Sequence, residues 1–186
     1  MSNKYTIDDF SWFLNRHNIL KEIYTEEELD LFLDEYGDEI NFHNYCWSLF
    51  NRALKKSADK YRIDGNEEQF YQRNGSIYYS MGRFRREEGG NVNSVNKYLR
   101  MGFESQAKAH MVSDLKGSVK IIAQVVAAPK GRCEYADSIN DKLIEIDDLI
   151  DECHIATDKC TSSFSCACTF GIKPVRDKNG RIIWKK

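Results

Sequence analysis

The chain has 186 residues and a formal net charge of −2, with 41% hydrophobic and 30% charged residues. That balance is ordinary for a globular protein with one core or two small modules, and two prolines leave little scope for a long extended linker. No run approaches the ~18 apolar residues of a membrane span. The first residues carry Asp8 and Asp9 where a signal peptide needs an apolar stretch, so a cytoplasmic setting is expected.

In chain order, Thr6-Ile7-Asp8-Asp9 predicts an N-cap and an acidic first turn, with Phe10, Phe13, Leu14 and His17 on one helical face. Thr25-Glu26-Glu27-Glu28 has the pattern of a capping box, and Leu29, Phe32, Leu33 and Tyr36 keep helical spacing up to Gly37. A longer helix is expected over 41–62, ended by Gly65, and another over 67–88, stopped by Gly89-Gly90. Gly75 and Gly82 lie two turns apart inside the latter. Each costs ~1 kcal/mol against alanine, which predicts close approach of a neighbouring helix. A fifth helix is predicted over 93–115.

After Gly117 the texture changes. Residues 119–126 are β-branched and short, which predicts a strand. A second short strand is expected over 142–146, followed by a helical stretch from Asp147 to Cys153. Residues 168–175 and 181–184, around Asp177-Lys178-Asn179-Gly180, predict a hairpin with Asn-Gly at its turn. The expected fold is α+β, mainly α: a helical region over 1–117 and a cysteine-rich α+β module over 118–186.

Four of the six cysteines, Cys153, Cys160, Cys166 and Cys168, fall within one short stretch, and Cys133 stands upstream. In a reducing compartment such clustering points to metal more often than to disulfides, with reduced structural thiols as the alternative. Side chains at i and i+2 of a strand share a side, so Cys166 and Cys168 can converge. Cys133 and Cys160 complete a tetrahedral set for structural zinc, with His154 and Cys153 in reserve. Four sulfur ligands close the coordination sphere, which argues against metal-dependent catalysis. A cysteine-dependent enzyme is the least favoured reading, because Cys153 and His154 are adjacent and point about 100° apart on a helix.

The order of strand, Cys133 turn, Lys142–Ile146 strand, helix, Cys160 loop, Cys166-Ala167-Cys168 and strand resembles the cysteine-rich tail of phage head-morphogenesis proteins. It is also similar to tails of uncharacterised bacterial helical proteins. The resemblance covers residues 119–175 and none of the helical region. It implies a metal-stabilised module, with Cys160, Cys166 and Cys168 matching its later cysteines. The family opens on a CxxC pair, of which only Cys133 is kept here.

Charge is unevenly spread: residues 1–50 balance at −8, residues 51–110 at +5 and residues 111–186 at +1. The acidic head, through Glu27, Asp34 and Glu35, is a candidate surface for docking a protein partner. Arg83, Arg85, Arg86, Lys97 and Arg100, in the basic stretch 83–108, mix guanidinium groups with aromatic rings, a pattern that suits nucleic acid. The competing reading pairs these arginines with nearby carboxylates, and a pI near 6.1 favours it. The expected function is that of a non-enzymatic binding or adaptor protein with structural zinc. Nucleic-acid binding, and inhibition of a host system by a phage or mobile element, are the alternatives.

Overall fold

The computed structural model describes residues 7–36, 41–128, 133–163 and 165–185. The N-cap expected at Thr6, the stop at Gly37 and the turn at 129–132 lie outside these residues. The protein is α+β and mainly α.

A 3-10 turn at Ile7–Asp9 leads into α1 (Phe10–Arg16) and then α2 (Ile19–Ile23). Periodicity predicts one helix here and misses α2, which is too short to show a repeat of its own. The break falls at His17, whose carbonyl accepts from Leu20 N–H at 2.9 Å as the chain turns. Helix α3 (Glu26–Tyr36) opens on a reciprocal capping box. Thr25 N–H donates to Glu28 Oε2 at 2.9 Å, and Glu28 N–H donates to Thr25 Oγ1 at 3.2 Å.

The three long helices α4 (Phe42–Asp64), α5 (Glu67–Glu87) and α6 (Val92–Lys116) each start at an asparagine. Asn41, Asn66 and Asn91 accept from the N–H three residues on, at 3.3, 3.2 and 2.9 Å. Gly65 ends α4 in the left-handed region at φ 63°.

Helices α5 and α6 form a close hairpin. A Cβ at Gly82 would stand 2.9 Å from Leu99 Cδ2, and one at Gly75 would stand 2.6 Å from Gln106 Nε2. Gly102 answers from α6, where a Cβ would meet the Tyr79 ring at 3.0 Å. The neighbour that the α5 glycines anticipate is therefore α6.

Beyond Gly117, β1 (Ile121–Val126) is the central strand of an antiparallel sheet ordered β2-β1-β3. β2 (Leu143–Glu145) pairs Ala123 with Ile144, and β3 (Thr169–Pro174) pairs Ala123 with Ile172. The helical stretch expected before Cys153 is present as a 3-10 turn, Ile146–Asp148, and α8 (Leu149–Glu152). A short helix, α7 (Glu134–Ile139), follows Cys133, where the sequence suggests only a turn.

The turn after β3 uses Asp177 Oδ1, which accepts from the N–H of Asn179 at 2.8 Å and of Arg181 at 2.9 Å. The expected hairpin forms, with Asp177 N–H donating to the Arg181 carbonyl at 2.8 Å and Ile183 N–H to the Val175 carbonyl at 2.9 Å, but its returning arm is not a continuous strand. It is reduced to bridges, Arg176 with Ile182 and Val119 with Trp184. Ile183 also reaches the start of β1, its carbonyl accepting from Lys120 N–H at 2.9 Å.

Two apolar cores result. The first joins α1 to α5 through Phe13, Leu20, Tyr45, Leu49, Phe50 and Phe84. The second joins Phe103 and Ala107 of α6 to Ala123, Val125, Ile144 and Leu149. Helix α6 is thus the wall on which the sheet is built, and chemistry carried by the tail is positioned by α6. Among the described residues, no helix is long and apolar enough to cross a membrane.

Candidate functional site

Three separate segments bring four thiols together. Cys133 stands at the N-terminal end of α7, Cys160 on the loop after α8, and Cys166 and Cys168 on the run into β3. Their sulfurs make a chain of hydrogen-bonded contacts: Cys133 with Cys160, Cys160 with Cys166, and Cys166 with Cys168. All four are free cysteines.

The backbone points donors at every one of these sulfurs. Cys133 receives the N–H groups of Ala136 and Thr161, and Cys160 that of Ser162. Cys166 receives the N–H groups of Cys168 and Ala156, and Cys168 that of Ala128. Peptide dipoles aimed at sulfur favour thiolate over thiol.

The electrostatics divide the set. The Cys166 thiol donates to Cys168 and is itself buried, and both effects hold Cys166 well above the usual thiol range. The same bond, helped by Ala128 N–H and opposed by burial, brings Cys168 down to about 7. Burial pushes Cys160 up to about 12. Burial also acts to raise Cys133, but its backbone donors with Cys160 and the Thr161 hydroxyl leave it below its ordinary value.

Among the described residues, no three His, Cys, Asp or Glu side chains stand where they could hold a metal ion together. The thiols meet in pairs rather than around a common centre. The reserve pair lies apart from these contacts. Cys153 is buried in the second core and pushed up to about 11 by that burial, while His154 is only half-buried beside it.

Helix α6 fixes the cluster through polar groups that the sequence does not advertise. Asn96 Oδ1, almost fully buried, accepts from Cys166 N–H at 2.9 Å. One turn on, the Arg100 guanidinium donates to the carbonyls of Cys153 at 2.8 Å, Ile150 at 3.0 Å and Ile155 at 3.3 Å, and to Glu104 at 2.6 Å. It ties off the C-terminal carbonyls of α8. A buried polar residue on a helix has the same sequence signature as a solvated one, so Asn96 could be found only by its contacts.

Two non-glycine residues beside the cluster adopt positive φ, Ala156 at 54° and Ser165 at 140°. Such backbone costs ~1–3 kcal/mol per residue and persists where surrounding contacts over-determine it.

The other candidate residues are dispersed. Arg83 donates to the Arg16 carbonyl at 2.9 Å, and Arg85 reaches Glu88 at 3.3 Å and Ser94 at 3.3 Å. With Arg100 committed to α8, Arg83, Arg86 and Lys97 are the exposed members of the basic set. On α3, Glu27 and Asp34 face solvent, whereas Glu35 pairs with Arg52 at 2.9 Å and Glu28 with Lys56 at 2.5 Å on α4. No protein-family model, curated protein or solved structure matches the chain.

Proposed function

We propose that the chain is a non-enzymatic binding protein whose sheet module is organised by one structural zinc ion on Cys133, Cys160, Cys166 and Cys168. The observation that carries this reading is the meeting of four thiols from three segments, each backed by a peptide N–H. Sulfur donors with amide support suit a borderline-soft divalent cation. Four desolvated thiolates would repel one another, and a cation offsets that repulsion. Closing on a metal asks the side chains to turn from pairwise contact to a common centre.

Bound there, zinc supplies cross-linking and folding free energy. The chain's own residues do the positioning: Asn96 holds the Cys166 backbone, Arg100 anchors α8, and Ala136, Ser162 and Ala128 orient sulfurs. A four-sulfur set leaves no coordination position for substrate, which favours binding over catalysis. The exposed acidic face of α3, through Glu27 and Asp34 and with Glu35 at its edge, is the surface we assign to a protein partner. Nucleic acid is less favoured because Arg83, Arg85 and Arg100 are already engaged within the fold.

Elemental analysis of the purified chain tests the reading, with about one zinc per chain expected. Cys133→Ser and Cys166→Ser should each lose the zinc and lower the melting temperature. Wild-type protein free of zinc, melting as the variants do, contradicts the proposal.

A further inference from the structure

The sheet has an unpaired edge beside a groove. In the order β2-β1-β3, β3 has a partner on one side only among the described residues. Val175 N–H donates to the Lys120 carbonyl, while Val125 N–H donates to the Lys142 carbonyl on the β2 side. Alternation along antiparallel strands then turns the backbone of Thr169, Gly171 and Lys173 toward β1. The N–H and C=O groups of Phe170 and Ile172 point away from it, off the free edge.

Those two residues line a groove of about 420 Å³ with Tyr79 of α5, Gln106 and His110 of α6, and the 166–169 run that carries Cys166 and Cys168. The Phe170 ring packs edge-on against Phe103 at 5.4 Å and His110 at 5.7 Å. The helical layer therefore reaches past the last strand, and Tyr79, Gln106 and His110 lie where a fourth strand would cover them. Among the described residues, no Asp, Glu, Lys or Arg lines the groove. Pro174, the next outward-facing position, has no N–H and ends the ladder.

We infer that this edge receives an extended segment of a partner protein, which adds as a fourth strand and sets uncharged, apolar side chains at alternate positions into the groove. The occupant's chemistry follows from what is unmet: two outward donor–acceptor pairs at strand spacing beside the Phe170, Ile172 and Tyr79 side chains. A second copy of this chain fits less well. Antiparallel pairing of two β3 edges would bring two overhanging helical layers into the same space, and a bare strand carries no such layer. The inference rests on the reading above in that the partner is a protein and in that the proposed zinc ligands Cys166 and Cys168 also line the groove, and it concerns a different surface from α3.

The test is selection of a random decapeptide display library on the whole chain, with zinc content measured on the same samples. Peptides with alternating apolar residues should be enriched. Their binding should slow amide exchange at Phe170 and Ile172 at least ~10-fold. Methylating the peptide backbone nitrogens that face β3 should weaken binding ~10-fold or more, and methylating the intervening ones should not. Ile172→Pro removes the outward N–H together with an aliphatic side chain packed on the second core and should lose the peptide, whereas Ile172→Val, which keeps the N–H, should retain it, with the melting temperature of both variants measured alongside. Absence of enrichment, indifference to the position of methylation, or dimers that protect the same two amides would each overturn the inference. Peptide binding by zinc-free protein would sink the metal reading alone, and zinc-replete protein that selects nothing would sink this one alone.

Discussion

His17 carries the clearest single-residue consequence. Its side chain is fully buried among Phe13, Phe50 and Phe84, with ring centroids at 4.7, 5.4 and 6.0 Å, and neither ring nitrogen has a hydrogen-bond partner. Burial, then the charges of Arg83 and Arg16, bring its pKa from 6.5 down to about 3. The Glu87 carboxylate, 3.6 Å away, pulls in the opposite direction and is outweighed. The folded state keeps the ring neutral, and the unfolded chain takes up a proton below about pH 6.5. The stability tied to this ring is therefore complete above pH 6.5 and is lost as pH falls toward 3, by ~1.4 kcal/mol per unit. Denaturant melts of wild type and His17→Phe should diverge by about 2 kcal/mol between pH 6.5 and 5. Equal losses in the two proteins would remove His17 from the account. The position itself was legible, since His17 shares a helical face with Phe10, Phe13 and Leu14. Its missing partners were not, because hydrogen bonding across helices leaves no trace in one chain's spacing.

Among the elements, the long helices read best from sequence and the tail read worst. Asparagine caps, Gly65 and the Gly89-Gly90 pair are local signals, so the bounds of α4, α5 and α6 follow from neighbouring residues. Helices α2 and α7 are too short for a 3.6-residue repeat to emerge, and the chain turns them by tertiary contact. The returning arm after Gly180 has strand-like residues and pairs back to Val175 through Ile183 N–H, as its sequence suggests, while the start of β1 also takes the Ile183 carbonyl and Lys185 N–H. Interior glycines separate by what each faces. At Gly82 a Cβ meets branched Leu99 with its backbone nitrogen 3.5 Å behind, and at Gly102 it meets the rigid Tyr79 ring. At Gly75 it meets the flexible Gln106 side chain. Gly82→Ala and Gly102→Ala should each cost ~1–2 kcal/mol despite the better helix former, while Gly75→Ala should stay within about 0.5 kcal/mol of wild type. Thermal melts of the three variants check that order, and a stabilised Gly102→Ala would mean the hairpin has slack.

At the scale of the whole molecule, α6 joins two cores that the sequence divides at Gly117. The change of texture there is genuine, since long helices precede it and strands follow, but the sheet shares its core with Phe103 and Ala107 of α6 as well as with Ile139, Ile146 and Leu149 of the short helical turns. Arg100 is the polar part of that junction, with a side chain about 19% exposed and three carbonyls of the α8 segment as acceptors. Arg100→Ala should cost about 3 kcal/mol in denaturant unfolding, from lost charged hydrogen bonds and orphaned carbonyls. Arg100→Lys should recover less than half, because an ammonium cannot span three acceptors as a planar fork does. Full recovery by lysine would reduce the junction to its charge alone. The sequence marks Arg100 as a basic residue beside an aromatic one, which suits nucleic acid and a carbonyl clasp equally.

The four cysteines were legible as a set because thiols are rare and their crowding is conspicuous. Their pairing order and their amide support were not, since these depend on α7, Asn96 and the turns at Ala156 and Ser165. The central claim, a four-sulfur zinc site in the tail, is tested most directly by X-ray absorption at the zinc edge. The sample is the whole chain, purified without chelator. The account predicts one shell of four sulfurs at ~2.3 Å with no nitrogen or oxygen neighbours. A spectrum without bound zinc, or a shell containing light atoms, would contradict it.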